Sequence, residues 1–153
     1  MDNIKWYCKS FAALSVNELY EIMKLRSEVF VVEQNCVYLD ADGKDEKSYH
    51  FFAIENGSIA AYARLLPPKI SFKEASIGRV LTAQSQRRKG LGIILMQKCI
   101  TKTLDLFDTT LIKIGGQLYL KSFYKGLQFK QCSEVYDEDG IPHIEMIFKK
   151  NEI

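Results

Sequence analysis

The feature that most constrains this chain is the stretch Gln86-Arg87-Arg88-Lys89-Gly90-Leu91-Gly92, because of what flanks it. Before it, Ala75 to Thr82 reads as a strand; after it, from Gly90 to about Phe107, the apolar residues Ile93, Met96, Ile100, Leu104 and Phe107 recur at helical spacing. A strand that passes through a short glycine turn into a long amphipathic helix demands an α/β arrangement in which the helix covers a sheet. It also suggests a chemistry. The first turn of a helix leaves backbone N–H groups unpaired and carries the positive end of the helix dipole, so it attracts anions. Gly90 and Gly92 let an anion approach the backbone without a Cβ in the way, and Arg87, Arg88 and Lys89 can add charge-assisted bonds. Such a nest suits a pyrophosphate. The same residues also describe a solvated basic turn that caps a helix. Three fixed positions of this kind recur by chance in about one chain of this length in thirty, so the loop does not decide the matter alone. The Walker phosphate loop is excluded because no GK[ST] ends the stretch, and the dinucleotide fingerprint because the first GxG turn is missing.

The remaining segments can be placed around this unit. Ile4 to Ser10 reads as a first strand, and Ser15 or Asn17 caps a helix that runs to about Val32. Leu19, Ile22, Met23, Arg26, Phe30 and Glu33 fall on one face of that helix. Tyr38 to Lys47 is an acidic loop. His50 to Glu55 and Ser58 to Leu66 flank Asn56-Gly57, a hairpin signal. Leu111 to Ile114 reads as a short buried strand broken by Gly115-Gly116, and Leu118 to Lys125 as a brief aromatic-rich helix. Phe129 to Val135 and His143 to Lys149 form a closing hairpin. The fold class is α/β of the α+β type, one mixed and mostly antiparallel sheet flanked by helices.

Composition narrows the function. At 153 residues with 47% hydrophobic and 26% charged, the chain is the size of one globular domain spanning 1–153. Its 21 Lys and Arg against 19 Asp and Glu leave a net charge of +2, which argues against a dedicated nucleic-acid binder, as does the lack of a recognition-helix motif or interleaved aromatics. Cys8, Cys36, Cys99 and Cys132 are scattered without a CxxC pair, so buried reduced thiols are expected and no metal site. The loop Asp40-x-Asp42-Gly43-x-Asp45 lacks the EF-hand glycine at its sixth position, which Asp45 occupies, so it is expected to be solvated, with Asp40 or Asp42 available to a cationic acceptor. No run reaches membrane-spanning length, and a cytoplasmic protein with no membrane partner is expected.

The stretch resembles motif A of the GNAT acyltransferase superfamily, Gln/Arg-x-x-Gly-x-Gly/Ala, met here by Arg87, Gly90 and Gly92, and the preceding IGRVLT fits as well. More closely, the chain is similar to the small ElaA-like subgroup. The likeness lies in LRSEVFVVEQNC, YARLLP, IGRV, FYKGLQF and VYDEDGIPHIEM, and covers nearly the whole length. The resemblance implies an N-acyltransferase that uses acetyl-CoA as acyl donor and a small-molecule or peptide amine as acceptor. It implies that the pantetheine arm pairs with the backbone of Val80, Leu81 and Thr82, and that Arg87, Arg88, Lys89, Gly90, Leu91 and Gly92 hold the pyrophosphate. The amine would attack the thioester directly, through a tetrahedral intermediate whose oxyanion needs a backbone N–H donor, at Val80 or Leu81. A homodimer is compatible with this reading.

Tyr124, in Phe123-Tyr124, stands where the resemblance implies the acid that protonates the leaving thiolate, a role a phenol near pKa 10 can fill. Gln128 occupies the place of the glycine usual before Phe129, which departs from the pattern at a turn. Glu33 is the first candidate base, with Arg26 about two helical turns before it opening into the same cleft. His143, at the end of DGIPH, is the second; His50 ranks below it. Arg79 shares a strand face with Ile77 and Leu81, and Arg64 lies in an apolar strand, so both need anionic partners. Glu55 or Glu74, or a carboxylate on the acceptor, would serve, which makes Arg26, Arg64 and Arg79 candidate substrate-binding residues. Two alternatives stand beside the transferase. One is a catalytically silent CoA-binding or protein-interaction module. The other is an acyl-homoserine lactone synthase, a GNAT-related group that LRSEVFVVE also resembles.

Overall fold

The structure, a computed structural model, describes residues 3–87 and 89–151; Arg88 therefore lies outside the described residues. The first four strands, β1 (Ile4–Ser10), β2 (Tyr49–Glu55), β3 (Ser58–Leu66) and β4 (Ser76–Thr82), form an antiparallel sheet in the order β1-β2-β3-β4. The β2–β3 turn is the expected one, with Asn56 (φ 51°) and Gly57 (φ 81°) both left-handed, which matches the strand twist. The second group consists of β5 (Leu111–Gln117), β6 (Lys130–Gln131), β7 (Tyr136–Glu138) and β8 (Ile141–Lys149), in which β5, β6 and β7 all pair antiparallel with β8. The closing hairpin turns at Asp139-Gly140, so β7 is the partner of β8 there, and the strand expected over 129–135 shrinks to two residues.

Helix α1 (Val16–Arg26) begins as expected, with a reciprocal capping box between Ser15 and Glu18. Its end differs. Ser27–Glu33 winds as a π-helix, whose wider turn departs from the α-helical spacing on which one continuous face was expected. Helix α2 (Leu91–Leu106) packs Leu91, Leu95, Met96 and Cys99 against the face of β2 and β3 that carries Ala53, Ala61 and Ala63. These small side chains let the helix lie close to the sheet. On the other face Phe52, Tyr62 and Leu81 pack with Ile22 of α1. Helix α3 (Lys121–Gly126) carries Tyr124. Among the described residues no helix is long and apolar enough to cross a membrane. Of the four free cysteines, Cys36 and Cys99 are buried as expected, Cys8 is half-buried and Cys132 is exposed beside the short β6.

Candidate active site

The two strand groups meet at one point. Ala75, just before β4, bridges in parallel to Ile112 of β5, and the Lys113 N–H donates to the Ala75 carbonyl at 2.9 Å. No further pairing joins β4 to β5 among the described residues. Beyond it a cleft of about 1100 Å³ opens, with the C-terminal halves of β4 and β5 on its walls and residues of the π-helical segment and of the β7–β8 hairpin around it. Gly115 and Gly116 do not break β5 as expected. They remain in the ladder opposite Glu145 and Ile144, and a Cβ at Gly115 would stand 2.9 Å from the Tyr136 hydroxyl, one at Gly116 3.0 Å from the Tyr124 ring. Glycine is required here for close approach rather than for a turn.

The β4 wall is interrupted by a bulge. Tyr62 pairs with Leu81 and Arg64 with Gly78, so Arg79 and Val80 together stand opposite the single residue Ala63. Arg79 takes φ 50° to make this possible. The bulge overturns the simple alternation: Ile77 packs in the core beneath α2, whereas Leu81 packs in the cluster beneath α1. Arg79 therefore does not share one face with both. Val80 is at the break in the ladder, while Leu81 has returned to register with Tyr62.

At the end of this wall a 3₁₀ turn, Gln84–Gln86, leads into the basic loop. Gly90 is the α2 N-cap at φ 77°, a conformation glycine adopts at little cost. Leu91 buries its side chain in the core, so only its backbone faces the helix end. Gly92 is less constrained, since a Cβ there would make ordinary contacts of 3.9 Å with Phe123 and Thr82. Arg87 lies at the lip of the cleft, and the first turn of the glycine-capped helix that follows carries the partial positive charge that attracts anions. Arg87 itself is paired with Glu33, its Nη2 donating to Oε2 at 2.7 Å, and this hydrogen bond lowers the Glu33 carboxyl below its usual range. A carboxylate held low in this way is a weak base.

Tyr124 and His143 both line the cleft but stand on opposite faces of the β5–β8 ladder, Tyr124 on the face of Gly116 and His143 on the face that Tyr136 covers. The Tyr124 ring covers Gly116, edge-on to Phe123 and Phe129, and burial pushes its pKa up to about 12. His143 pairs with Gln117, the next residue of β5. Its Nδ1 donates to the Ile141 carbonyl at 2.7 Å, which turns Nε2 toward Glu138 at 3.1 Å. The turn after Tyr124 forms despite Gln128, which accepts φ 74° in place of glycine while the Phe129 N–H still reaches the Tyr124 carbonyl at 3.1 Å. His50, by contrast, is fully buried between the Tyr62 hydroxyl (2.8 Å) and the Asp45 carbonyl (3.0 Å), and burial lowers its pKa.

The interior arginines find their partners in the acidic loop, not at Glu55 or Glu74. Arg26 Nε donates to Asp40 at 2.9 Å and Nη1 to Asp45 at 2.6 Å. Arg64 makes a forked pair with Asp42, both bonds 2.8 Å, and a further bond to Asp45 at 3.0 Å. Arg79 donates to Asp40 at 2.8 Å and Asp42 at 3.2 Å. The loop expected to be solvated thus buries Asp40 and Asp45, and neither Asp40 nor Asp42 is left free for a cationic acceptor. Arg26 and Glu33 do not open into one cleft: Glu33 lines it and Arg26 is sealed beneath. Burial would raise the Asp42 and Asp45 carboxyls, but the arginine bonds and charges outweigh it and hold both below the ordinary range. The signal was present in the sequence as a match of three arginines on apolar elements with three aspartates in one loop.

A β4–β5 pair that parts around a cleft, a bulge on β4, and a glycine-capped helix after that strand make up the framework of the site. The sequence profile of the acetyltransferase (GNAT) domain matches residues 18–150, and the chain belongs to that family of N-acetyltransferases. The ElaA protein of Escherichia coli is 38% identical over 94% of this chain and 95% of its own, and its crystal structure superposes with a TM-score of 0.89. An acyl-CoA N-acyltransferase from Pseudomonas aeruginosa, 39% identical over 95% of this chain and 99% of its own, superposes with a TM-score of 0.90. The acyl-homoserine lactone synthase BjaI shares the fold at a TM-score of 0.81 but only 15% identity, covering 97% of this chain and 84% of its own.

Proposed function

We propose that the whole chain is one acyltransferase domain that moves an acyl group, acetyl foremost, from acyl-CoA to a primary amine of a small molecule or peptide by direct attack. The observation that carries this reading is the presence of Val80, at the β4 bulge, and Tyr124, over Gly116 of β5, on opposite walls of one cleft that reaches Arg87 in the loop before the Gly90-capped helix. The bound thioester supplies the electrophilic carbonyl. The Val80 N–H, at the break in the ladder, is the donor that stabilises the negative charge developing on the carbonyl oxygen in this reading. Tyr124, with a pKa near 12, stays protonated at neutral pH and donates its proton to the departing sulfur. His143, which also lines the cleft, is better suited than Glu33 to receive the amine proton, because Glu33 is neutralised at the lip by Arg87.

Release of thiol from acetyl-CoA against a panel of amines tests this directly. Acceleration by an acceptor, with a loss of about 100-fold or more in Tyr124→Phe, is the expected outcome. Tight CoA binding with no turnover across the panel would favour a silent binding module. A lactone formed from S-adenosylmethionine would favour the synthase reading, for which the chain carries the LRSEVFVVE likeness and a shared fold.

A further inference from the structure

Arg79 is a non-glycine residue held at φ 50° inside a strand, a conformation that disfavours any side chain with a Cβ. What holds it there is a set of contacts at the far end of its own side chain. Nε donates to Asp40 Oδ1 at 2.8 Å, Nη2 to the Asp40 carbonyl at 3.2 Å and to Asp42 Oδ2 at 3.2 Å, and the guanidinium lies 5.5 Å from the Tyr38 ring centre. Asp40 cannot yield easily. Its Oδ2 and carbonyl are bound at 2.9 and 3.1 Å by Arg26, which is fully buried, and its Oδ1 also accepts the Tyr38 hydroxyl at 2.9 Å. The acidic loop thus connects a strained backbone position on the cleft wall to a fixed point in the core.

We propose that Arg79 is a positioning residue: the Asp40–Asp42 grip on its guanidinium keeps the β4 bulge in the left-handed turn that presents the Val80 N–H to the cleft. This rests on the acyl-transfer reading of the cleft. It differs from a role in which the guanidinium binds a carboxylate on the acceptor, because here the side chain acts only through the backbone conformation. It therefore makes a distinctive demand: the requirement for arginine disappears if the residue adopts positive φ unaided.

Arg79→Ala and Arg79→Gly separate the two. Alanine removes the grip and keeps the Cβ penalty, so the bulge relaxes; kcat is expected to fall on the order of 100-fold with KM for acetyl-CoA little changed. Glycine removes the grip but accepts positive φ, so kcat should recover to within about tenfold of the parent. Equal losses in the two variants, a rise in acceptor KM common to both, or parental kcat in Arg79→Ala would each overturn the proposal. A readout independent of turnover is the backbone amide spectrum on titration with acetyl-CoA. The Val80 resonance should shift in the parent and in Arg79→Gly but not in Arg79→Ala, while the Leu91 and Gly92 amides shift in all three. A Val80 response that survives in Arg79→Ala would overturn the positioning role alone; loop amides that never respond would overturn the acyl-CoA reading and this proposal with it.

Discussion

Arg26 and Arg87 each hold a carboxylate, yet the two pairs are different kinds of object. Arg26 is 0% exposed, and Asp40 and Asp45 occupy its Nε, Nη1 and Nη2. Arg87 and Glu33 meet at the lip of the cleft with side chains 34% and 43% exposed. A charge taken out of water must be paired permanently, since losing its partner leaves the desolvation cost uncompensated. A charge at the surface gives up little when it changes partners. The interior network is thus suited to fixing shape, and the exposed pair to being exchanged for an anionic ligand.

The sharpest way to break this contrast is Asp45→Ala, which deprives Arg26 and Arg64 together. It should destabilise the fold by about 3–5 kcal/mol in chemical denaturation; a change below about 1 kcal/mol would place the network with the surface pairs. Acid should reveal the same asymmetry. The Asp42 and Asp45 carboxyls are depressed in the folded state, so they contribute stability above the ordinary aspartate pKa near 4 and lose it as pH falls through their folded values. The denaturation midpoint should therefore drop steeply between pH 4 and pH 2, and less steeply in Asp42→Asn. At the lip, Arg87→Ala should weaken CoA binding about tenfold by calorimetry while altering stability by less than about 0.5 kcal/mol.

Gln128 sharpens the comparison in terms of backbone rather than charge. Like Arg79 it is left-handed, but it is exposed, and no side-chain bond holds it among the described residues. Gln128→Gly should stabilise the protein by roughly 0.5–1 kcal/mol and leave turnover unchanged. The smallest effect is expected from Glu33→Gln, under about 0.5 kcal/mol in stability, with kcat within a few-fold of the parent and acyl-CoA bound slightly more tightly. A general base would instead cost about 100-fold in kcat.

Much of the architecture was legible from the chain. The strand at 4–10, the Ser15 cap, the Asn56-Gly57 turn and the strand–loop–helix unit from 76 to 106 follow from alternation, capping and turn chemistry, all of them local. At 115–116 a glycine pair that breaks a strand and one that admits a neighbour look the same in sequence; only Tyr136 and Tyr124 standing over them distinguish the two. Arg79 cannot share one face with both Ile77 and Leu81, as alternation predicts, because alternation assumes an unbroken ladder and the bulge depends on the register with β3. The pairing of aspartates with arginines is not encoded locally, because the partners lie 14 to 39 residues apart.

The sequence by itself determined the order of elements, the family likeness and the position of the glycine loop, since each is encoded in spacings of a few residues. Only the tertiary structure decided which charges are structural. Whether Arg26, Arg64 and Arg79 face a ligand or a carboxylate of their own chain depends on where the 38–47 loop folds back. In this protein it folds onto the β3–β4 wall, and because those arginines are largely removed from water the loop's aspartates have to pair with them.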